Sequence, residues 1–252
     1  MNKSLKVGAV LAAGILALSA CSSSEGEDSA PAGPSSSASS PVSSPASATP
    51  SPGPSVGARQ YSPEELEAAL AAVKAERGIS GEVRNDGVLQ PDLEGAAAQL
   101  AGVAVTPAKC KVLASTELVS AVSRANTAVL PLSGTDVLVV SSHEDPAELD
   151  AQMQDIRSAL ADCAEFQLEA GGFGLTATSS QIEASTEAET TLAHRILVSG
   201  FGDPVEILQV AAVSGSTNVQ VMMTGTADGA DPAADMAGAE DTVNAVLAEL
   251  GK

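Results

Sequence analysis

The three cysteines are the residues of this chain best suited to covalent chemistry, and each lies in a different context. Cys21 follows an apolar N-terminal run. Cys110 and Cys163 lie 53 residues apart in the C-terminal part of the chain, which has a more varied composition. If Cys21 is modified, the other two remain as a pair, and in an oxidising compartment we expect them to form a disulfide. Because no Cys-x-x-Cys spacing occurs, this pairing indicates a structural role and not redox catalysis.

The residues around Cys21 predict a membrane anchor. Lys3 and Lys6 precede the apolar run from Val7 to Ala20, which at about 1.5 Å per residue is too short to span a hydrocarbon core of about 30 Å. Leu18-Ser19-Ala20-Cys21 resembles the lipobox of bacterial lipoproteins, in which the cysteine thiol is acylated before cleavage on its N-terminal side. We therefore expect residues 1–20 to be removed and Cys21 to carry acyl chains. An ordinary secretory signal with an incidental cysteine is the alternative.

Other chemistry-bearing residues lack the spacing that a metal or catalytic site needs. His143 and His194 do not form a His-x-x-x-His or His-Glu-x-x-His pattern. The acidic runs 145–150 and 228–235 lack the pattern of a calcium loop, and Asp145 and Asp231 each precede a proline, which predicts helix N-caps. The Gly-x-Ser-x-Gly motif, which carries the nucleophile of many serine hydrolases, does not occur either. The sequence therefore predicts no catalytic residue, no metal and no cofactor.

Two phenylalanines stand among glycines, in the segments 171–174 and 199–203. Neither segment has the lysine and helix start of a phosphate-binding loop, so ordinary turns are one interpretation. The other is that Phe173 and Phe201 are exposed contact points, since aromatic side chains often anchor interfaces.

The overall composition excludes several classes of function. The chain has 252 residues, 12 Lys and Arg, 32 Asp and Glu, a net charge of -20, and only four aromatic side chains. Nucleic-acid binding needs clustered cations and stacking rings, so nucleic acid is not an expected partner. Stacking of sugar rings on Trp or Tyr is equally disfavoured, because Trp is absent and Tyr occurs once.

The chain divides into a tether and one domain. Residues 21–58 are rich in Ser and Pro, hold almost no large apolar residue and cannot bury enough surface to offset their chain entropy. We expect a disordered tether there. The Ser62-Pro63-Glu64-Glu65 sequence then has the features of a capped helix start, and residues 59–252 are expected to form the folded domain.

Within this domain the patterns predict an α+β fold. Leu149, Met153, Ile156, Leu160 and Cys163 follow helical spacing. Short β-branched runs follow from Phe166 onward, and residues 214–218 read as a hairpin turn between the last two. A final helix is expected from about Asp231. Consecutive strands with short links favour antiparallel pairing, so we expect a four- or five-stranded antiparallel sheet packed against helices on one face.

The order of these segments resembles the extracellular sensor domains of actinobacterial Ser/Thr kinases of the PknH type, which also occur on stand-alone lipoproteins. The segments that carry the resemblance are the helix at Ser62–Leu66, Pro107–Cys110, Leu160–Cys163 and the trailing strands with their terminal helix. Leu160 stands where a Trp is common in the family, and only one of its two cysteine pairs can exist here. The resemblance implies an α+β domain with a cleft for an envelope ligand and without catalysis.

Together these features predict a non-enzymatic, lipid-anchored binding or sensor-like module on the outer face of the cytoplasmic membrane, whose partners are the membrane and an unidentified envelope ligand or protein. The alternative is a carrier of lipid or another hydrophobic ligand, with the sheet and helices enclosing an apolar cavity.

Overall fold

The computed structural model describes residues 55–89, 91, 95, 98, 102–114, 125–200, 202–226 and 231–252. Its helices are α1 (Pro63–Arg77), α2 (Pro146–Asp162) and α3 (Pro232–Leu250), together with a 3-10 helix (Ala108–Ala114) and a helical turn at residues 86–89. Its strands are β1 (Arg84–Asn85), β2 (Ala104–Thr106), β3 (Asn126–Pro131), β4 (Val137–Ser142), β5 (Glu165–Ala170), β6 (Phe173–Ile182), β7 (Thr190–Ser199), β8 (Val205–Ser214) and β9 (Thr217–Thr226).

The helix starts follow from local chemistry. Ser62 caps α1 in a capping box with Glu65, and a proline occupies the first turn. Asp145 and Asp231 accept backbone N–H groups at the starts of α2 and α3. Both aspartates are therefore N-caps, and the prediction for them is confirmed.

All nine strands belong to one antiparallel sheet with the order β1-β3-β4-β9-β8-β7-β6-β5-β2. Strands β5 to β9 form a continuous meander. Strand β9 then pairs with β4, and this pairing joins the β3–β4 hairpin to the meander. Gly215, with φ 52°, lies in the tight turn between β8 and β9, as the sequence predicts.

The expected four- or five-stranded sheet is wrong, since the structure has nine strands. Strand β3 begins at Asn126 and ends at Pro131, two residue types that are uncommon in strands, so its sequence resembles a loop. Strands β1 and β2 are only two and three residues long and show no periodicity. The pairing of β4 with β9 is long-range, and no local pattern in the sequence indicates it.

Helices cover both faces of the sheet, so the expectation of one helical layer is also wrong. In β8, Val210 and Ala212 pack in the cluster that contains α1 and α3, whereas Ala211 and Val213 pack in the cluster that contains α2 and the 3-10 helix. Successive side chains of a strand point to opposite faces. We call the side of α1 and α3 the first face and the side of α2 the second face.

Helix α2 crosses the second face of the sheet. It connects β4 to β5, and these two strands lie five positions apart, or about 24 Å at the usual spacing of about 4.8 Å. A helix of 17 residues is about 25 Å long, which matches this span. Its buried residues are Leu149, Met153, Ala159 and Leu160, so the predicted apolar side of the helix faces the sheet.

The structure contains the disulfide Cys110–Cys163, with an S–S distance of 2.04 Å. Cys163 follows the last turn of α2, Cys110 belongs to the 3-10 helix, and both side chains are fully buried. The Ser179 hydroxyl donates a hydrogen bond of 2.6 Å to the Cys163 carbonyl oxygen. The bridge thus fixes the 3-10 helix to the end of α2 on the second face.

The first described residues are fixed to the turn between β8 and β9. The backbone N–H of Ser216 donates to the Gly57 carbonyl oxygen at 3.0 Å. Gly57 has φ 74°, and a Cβ atom there would lie 1.7 Å from the carbonyl oxygen of Ser214. Only glycine fits this close approach. Beyond it, the Tyr61 hydroxyl donates to the Leu250 carbonyl oxygen at 2.9 Å, which ties the start of the domain to its last helix.

Among the described residues, no helix is long and apolar enough to cross a membrane. Residues 1–54, with the predicted signal peptide, Cys21 and most of the predicted tether, lie outside the described part of the chain.

Removing the disulfide should destabilise the domain. The bridge closes a loop of 53 residues, for which the chain-entropy relation gives about 4 kcal/mol. We expect the Cys110→Ser, Cys163→Ser double variant to lose about this much free energy of unfolding in urea titrations. Non-reducing peptide mapping of the unmodified chain should recover the linked peptides. Two free thiols, or an unchanged unfolding midpoint, would contradict this prediction.

Candidate functional site

A polar stripe crosses the second face of the sheet. Its members are neutral side chains on four adjacent strands, and each points to the same face as the apolar residues around it: Ser141 of β4, Asn218 and Gln220 of β9, Gln209 of β8 and His194 of β7. In register, Ser141 lies opposite Asn218, and Gln209 lies opposite His194. The stripe therefore runs from β4 toward β7, the direction in which α2 crosses the sheet.

The stripe borders a cavity between the sheet and α2. The cavity has a volume of about 30 Å³, close to the share of one water molecule in the liquid. Its polar wall is formed by Gln152, His194, Gln209, Asn218 and Gln220, and its apolar wall by Val112, Leu113, Met153, Ile156 and Ala211. None of these ten residues carries a charge at neutral pH if His194 is neutral.

Two polar atoms of this wall are buried without a hydrogen-bond partner among the described residues: Nδ1 of His194 and Oδ1 of Asn218. The two residues are only 3% and 8% exposed. Buried polar atoms are nearly always paired, because an unpaired one loses its hydration without compensation. A partner for these two atoms has to come from a water molecule, a ligand or a residue outside the described ranges.

The electrostatics of the cavity are set by burial. Burial lowers the pKa of His194 to about 4, because desolvation penalises the imidazolium form. His194 is therefore neutral at physiological pH, with one ring nitrogen as donor and the other as acceptor. The cavity as a whole presents donors and acceptors and no net charge.

The residues that line the cavity supply hydrogen-bond donors and acceptors beside apolar side chains. A neutral imidazole could accept a proton, but the residues that line the cavity include no Ser, Thr, Cys, Asp or Glu that it could activate or that could orient it. Neither do the described residues hold a group of three or more His, Cys, Asp or Glu side chains able to coordinate a metal ion. The four side-chain carboxamides can form hydrogen bonds with a ligand, and the apolar residues beside them can pack against it.

The residues predicted from the sequence lie elsewhere. Cys110 and Cys163 form the disulfide at the C-terminal end of α2, the end farther from β4. Phe173 is 45% exposed at the start of β6, and because β6 pairs with β7 only from Thr176 on, this part of the hairpin extends beyond β7. Phe173 does not line the cavity. Cys21 and Phe201 lie outside the described residues.

Sequence motifs test His194 only as a zinc ligand and do not predict the three carboxamides of β8 and β9. A signal for them exists. Asn218 and Gln220 are two residues apart in a β-branched run, and Gln209 interrupts another. Amides at alternating positions of strands that are otherwise apolar on both faces indicate a polar patch in a buried layer.

Comparison with known proteins gives a similarity to solved structures and none to a family model or a curated protein. Among solved structures, it is similar to the extracellular domain of PknH from Mycobacterium tuberculosis, with a TM-score of 0.49, 15% sequence identity, and coverage of 76% of this chain and 97% of that chain. This is the domain type that the order of segments in the sequence resembles.

The buried histidine should make the protein less stable in mild acid. The pKa of His194 is about 4 in the folded chain against about 6.5 when unfolded, so between these values the unfolded state binds the extra proton. Stability should fall as the pH drops from about 7 to 5, and this one group accounts for about 2 kcal/mol of that loss.

His194→Gln removes the titration while keeping a polar side chain, so we expect its loss of unfolding free energy between pH 7 and 5 to be smaller by about 2 kcal/mol. Urea unfolding at both pH values measures it, and the remaining groups titrate alike in the two proteins. Equal losses in the variant and the unmodified chain would show that His194 is not held neutral by burial.

Proposed function

We propose that this chain is a lipid-anchored, extracytoplasmic binding or sensor-like module, which recognises a ligand in the cavity between α2 and the polar stripe and catalyses no reaction. The observation that carries the proposal is the uncharged cavity with two orphaned buried atoms, Nδ1 of His194 and Oδ1 of Asn218. Buried polar atoms cost stability unless a partner pairs with them, and a bound polar ligand would supply that partner.

Two features support a location outside the cytoplasm. The disulfide Cys110–Cys163 is of the kind that forms and persists in oxidising compartments. The Leu18-Ser19-Ala20-Cys21 sequence supplies an acylation site upstream of the domain. With residues 21–58 as a tether, the domain would stand clear of the outer face of the cytoplasmic membrane, and two or more acyl chains would hold it there.

The size of the cavity favours a binding module over a lipid carrier. A carrier encloses whole acyl chains, whereas this cavity has the volume of about one water molecule. Half of its wall is polar, and carboxamides buried against hydrocarbon would stay unpaired. A small polar group suits the site better than a chain of methylenes.

Binding is tested by native mass spectrometry of the protein extracted from its own membrane. Ala211 lines the cavity and is 4% exposed, so Ala211→Leu should fill it. We expect a non-covalently bound small molecule on the unmodified chain and on the control Ala161→Leu, which changes an exposed residue of α2, and no such mass on Ala211→Leu. The same mass on Ala211→Leu, or none on the unmodified chain, would contradict the proposal.

The anchor is tested separately at Cys21. Because the acyl chains supply the membrane affinity, Cys21→Ala should move the protein from the membrane fraction to the soluble fraction or the medium. Mass spectrometry of the N-terminal peptide of the unmodified protein should show a diacylglyceryl group on Cys21. If the variant stays with the membrane and the peptide has no lipid mass, the anchor lies elsewhere.

A further inference from the structure

The chemistry of the cavity restricts what it can bind, if the proposed binding function holds. Every residue of its wall is uncharged, although the chain has 32 acidic and 12 basic residues. A carboxylate or ammonium group in this cavity would lose its hydration without meeting an opposite charge, at a cost far above that of a neutral group. The part of the ligand that enters is therefore uncharged.

The distribution of the polar wall requires more than one hydrogen-bonding atom. Asn218 and His194 are separated by two strand spacings and by four residues along the strands, which is about 10 Å across and about 13 Å along the sheet. No single small group reaches both ends of such a stripe, so the residues between the ends decide which group fits best. The carboxamides between them offer donors and acceptors side by side, which is complementary to a group that has both.

A carboxamide or peptide group is complementary to the side-chain amides of Gln209, Asn218 and Gln220. Its N–H donates to an acceptor such as Oδ1 of Asn218 or Oε1 of Gln220, while its C=O accepts from a neighbouring side-chain amide or imidazole N–H. An amide carries its donor and its acceptor on two different atoms of one plane, as the side-chain amides of the cavity do, whereas a hydroxyl donates and accepts through the same oxygen. Helix α2 contributes Met153 and Ile156 beside Gln152 to the lining, and an aliphatic neighbour of the amide suits the two apolar side chains.

The cavity can enlarge at one defined place. Met153 is 3% exposed and its unbranched thioether side chain has three rotatable bonds, so it adapts to an occupant more readily than a branched residue does. Gln152, Ile156 and Gln209 are only half-buried, which places the opening of the cavity on their side. An occupant larger than a water molecule needs the Met153 side chain to move aside before it can reach the carboxamides of β8 and β9 from this opening.

We propose that this cavity binds the uncharged amide group of a small aliphatic amide or peptide, with the amide among Gln209, Gln220 and Asn218 and its aliphatic neighbour against Met153 and Ile156. The proposal assigns a ligand class to the site and rests on the proposed binding function.

The test uses the full chain in detergent with ¹³C-methyl methionine, because the chain carries its own reporters. Met153 lines the cavity, whereas Met223 and Met236 pack in the cluster of the first face. Isobutyramide is the probe, and isobutyrate is its charged counterpart of nearly equal shape. We expect a saturable shift of the Met153 methyl signal with isobutyramide, none with isobutyrate, and none at Met223 or Met236 with either.

Two variants locate the amide. Gln220→Leu should weaken isobutyramide binding about tenfold, since it removes a hydrogen bond to a buried group. Gln167→Leu is the matched control, because Gln167 is exposed on the first face of β5 and should leave binding unchanged. If Gln220→Leu fails to fold in thermal melts, Gln209→Leu, at a half-buried position of the same wall, replaces it.

The outcomes separate this inference from the proposed function. Absence of a Met153 response to isobutyramide, as expected if the cavity holds only water, overturns the amide assignment. So does an equal response to isobutyrate, or unchanged affinity in the Gln→Leu variant of the cavity wall. If native mass spectrometry still finds a ligand that Ala211→Leu loses, the binding function stands and only its chemistry is wrong.

Discussion

The structure depends on the burial of its central strands from both sides. In β8, the four consecutive residues Val210, Ala211, Ala212 and Val213 are each at most 4% exposed, because α1 and α3 cover one face and α2 covers the other. Two-sided burial removes the usual alternation of polar and apolar residues. It also makes every polar residue of these strands costly, so His194, Gln209, Asn218 and Gln220 stand out as exceptions that need a reason.

The core consists mostly of small side chains, which limits the free energy that burial contributes to folding. The domain has no Trp, and of the three aromatic side chains that the structure describes, Tyr61 and Phe166 are buried and Phe173 is exposed. Valines and alanines bury less area per residue than aromatics, and the free energy of burial scales with that area. Constraints on the chain compensate: the disulfide closes a long loop on the second face, and the Gly57 contact with the turn after β8 fixes the start of the domain.

Local features of the fold were predictable from the sequence, whereas its long-range pairing was not. The caps at Ser62, Asp145 and Asp231 and the turn at Gly215 follow from a few adjacent residues. The pairing of β4 with β9 joins segments far apart in sequence, and its register decides which residues share a face. Without that register, the sequence does not show that Asn218 and Gln220 face α2, so the polar stripe could not be predicted.

The acidic residues of α2 and the uncharged cavity would both disfavour an anionic ligand, but they act at different distances. Helix α2 carries its acids on the outside, where Glu148, Asp150 and Asp155 are exposed, while its inner side presents Met153 to the stripe. These hydrated carboxylates repel an approaching anion, but salt screens this effect beyond about 8 to 10 Å. Inside the cavity the loss of hydration rejects ions of either sign without any nearby charge. A neutral amide avoids both penalties, so an acidic surface around an uncharged site is consistent with recognition of neutral ligands.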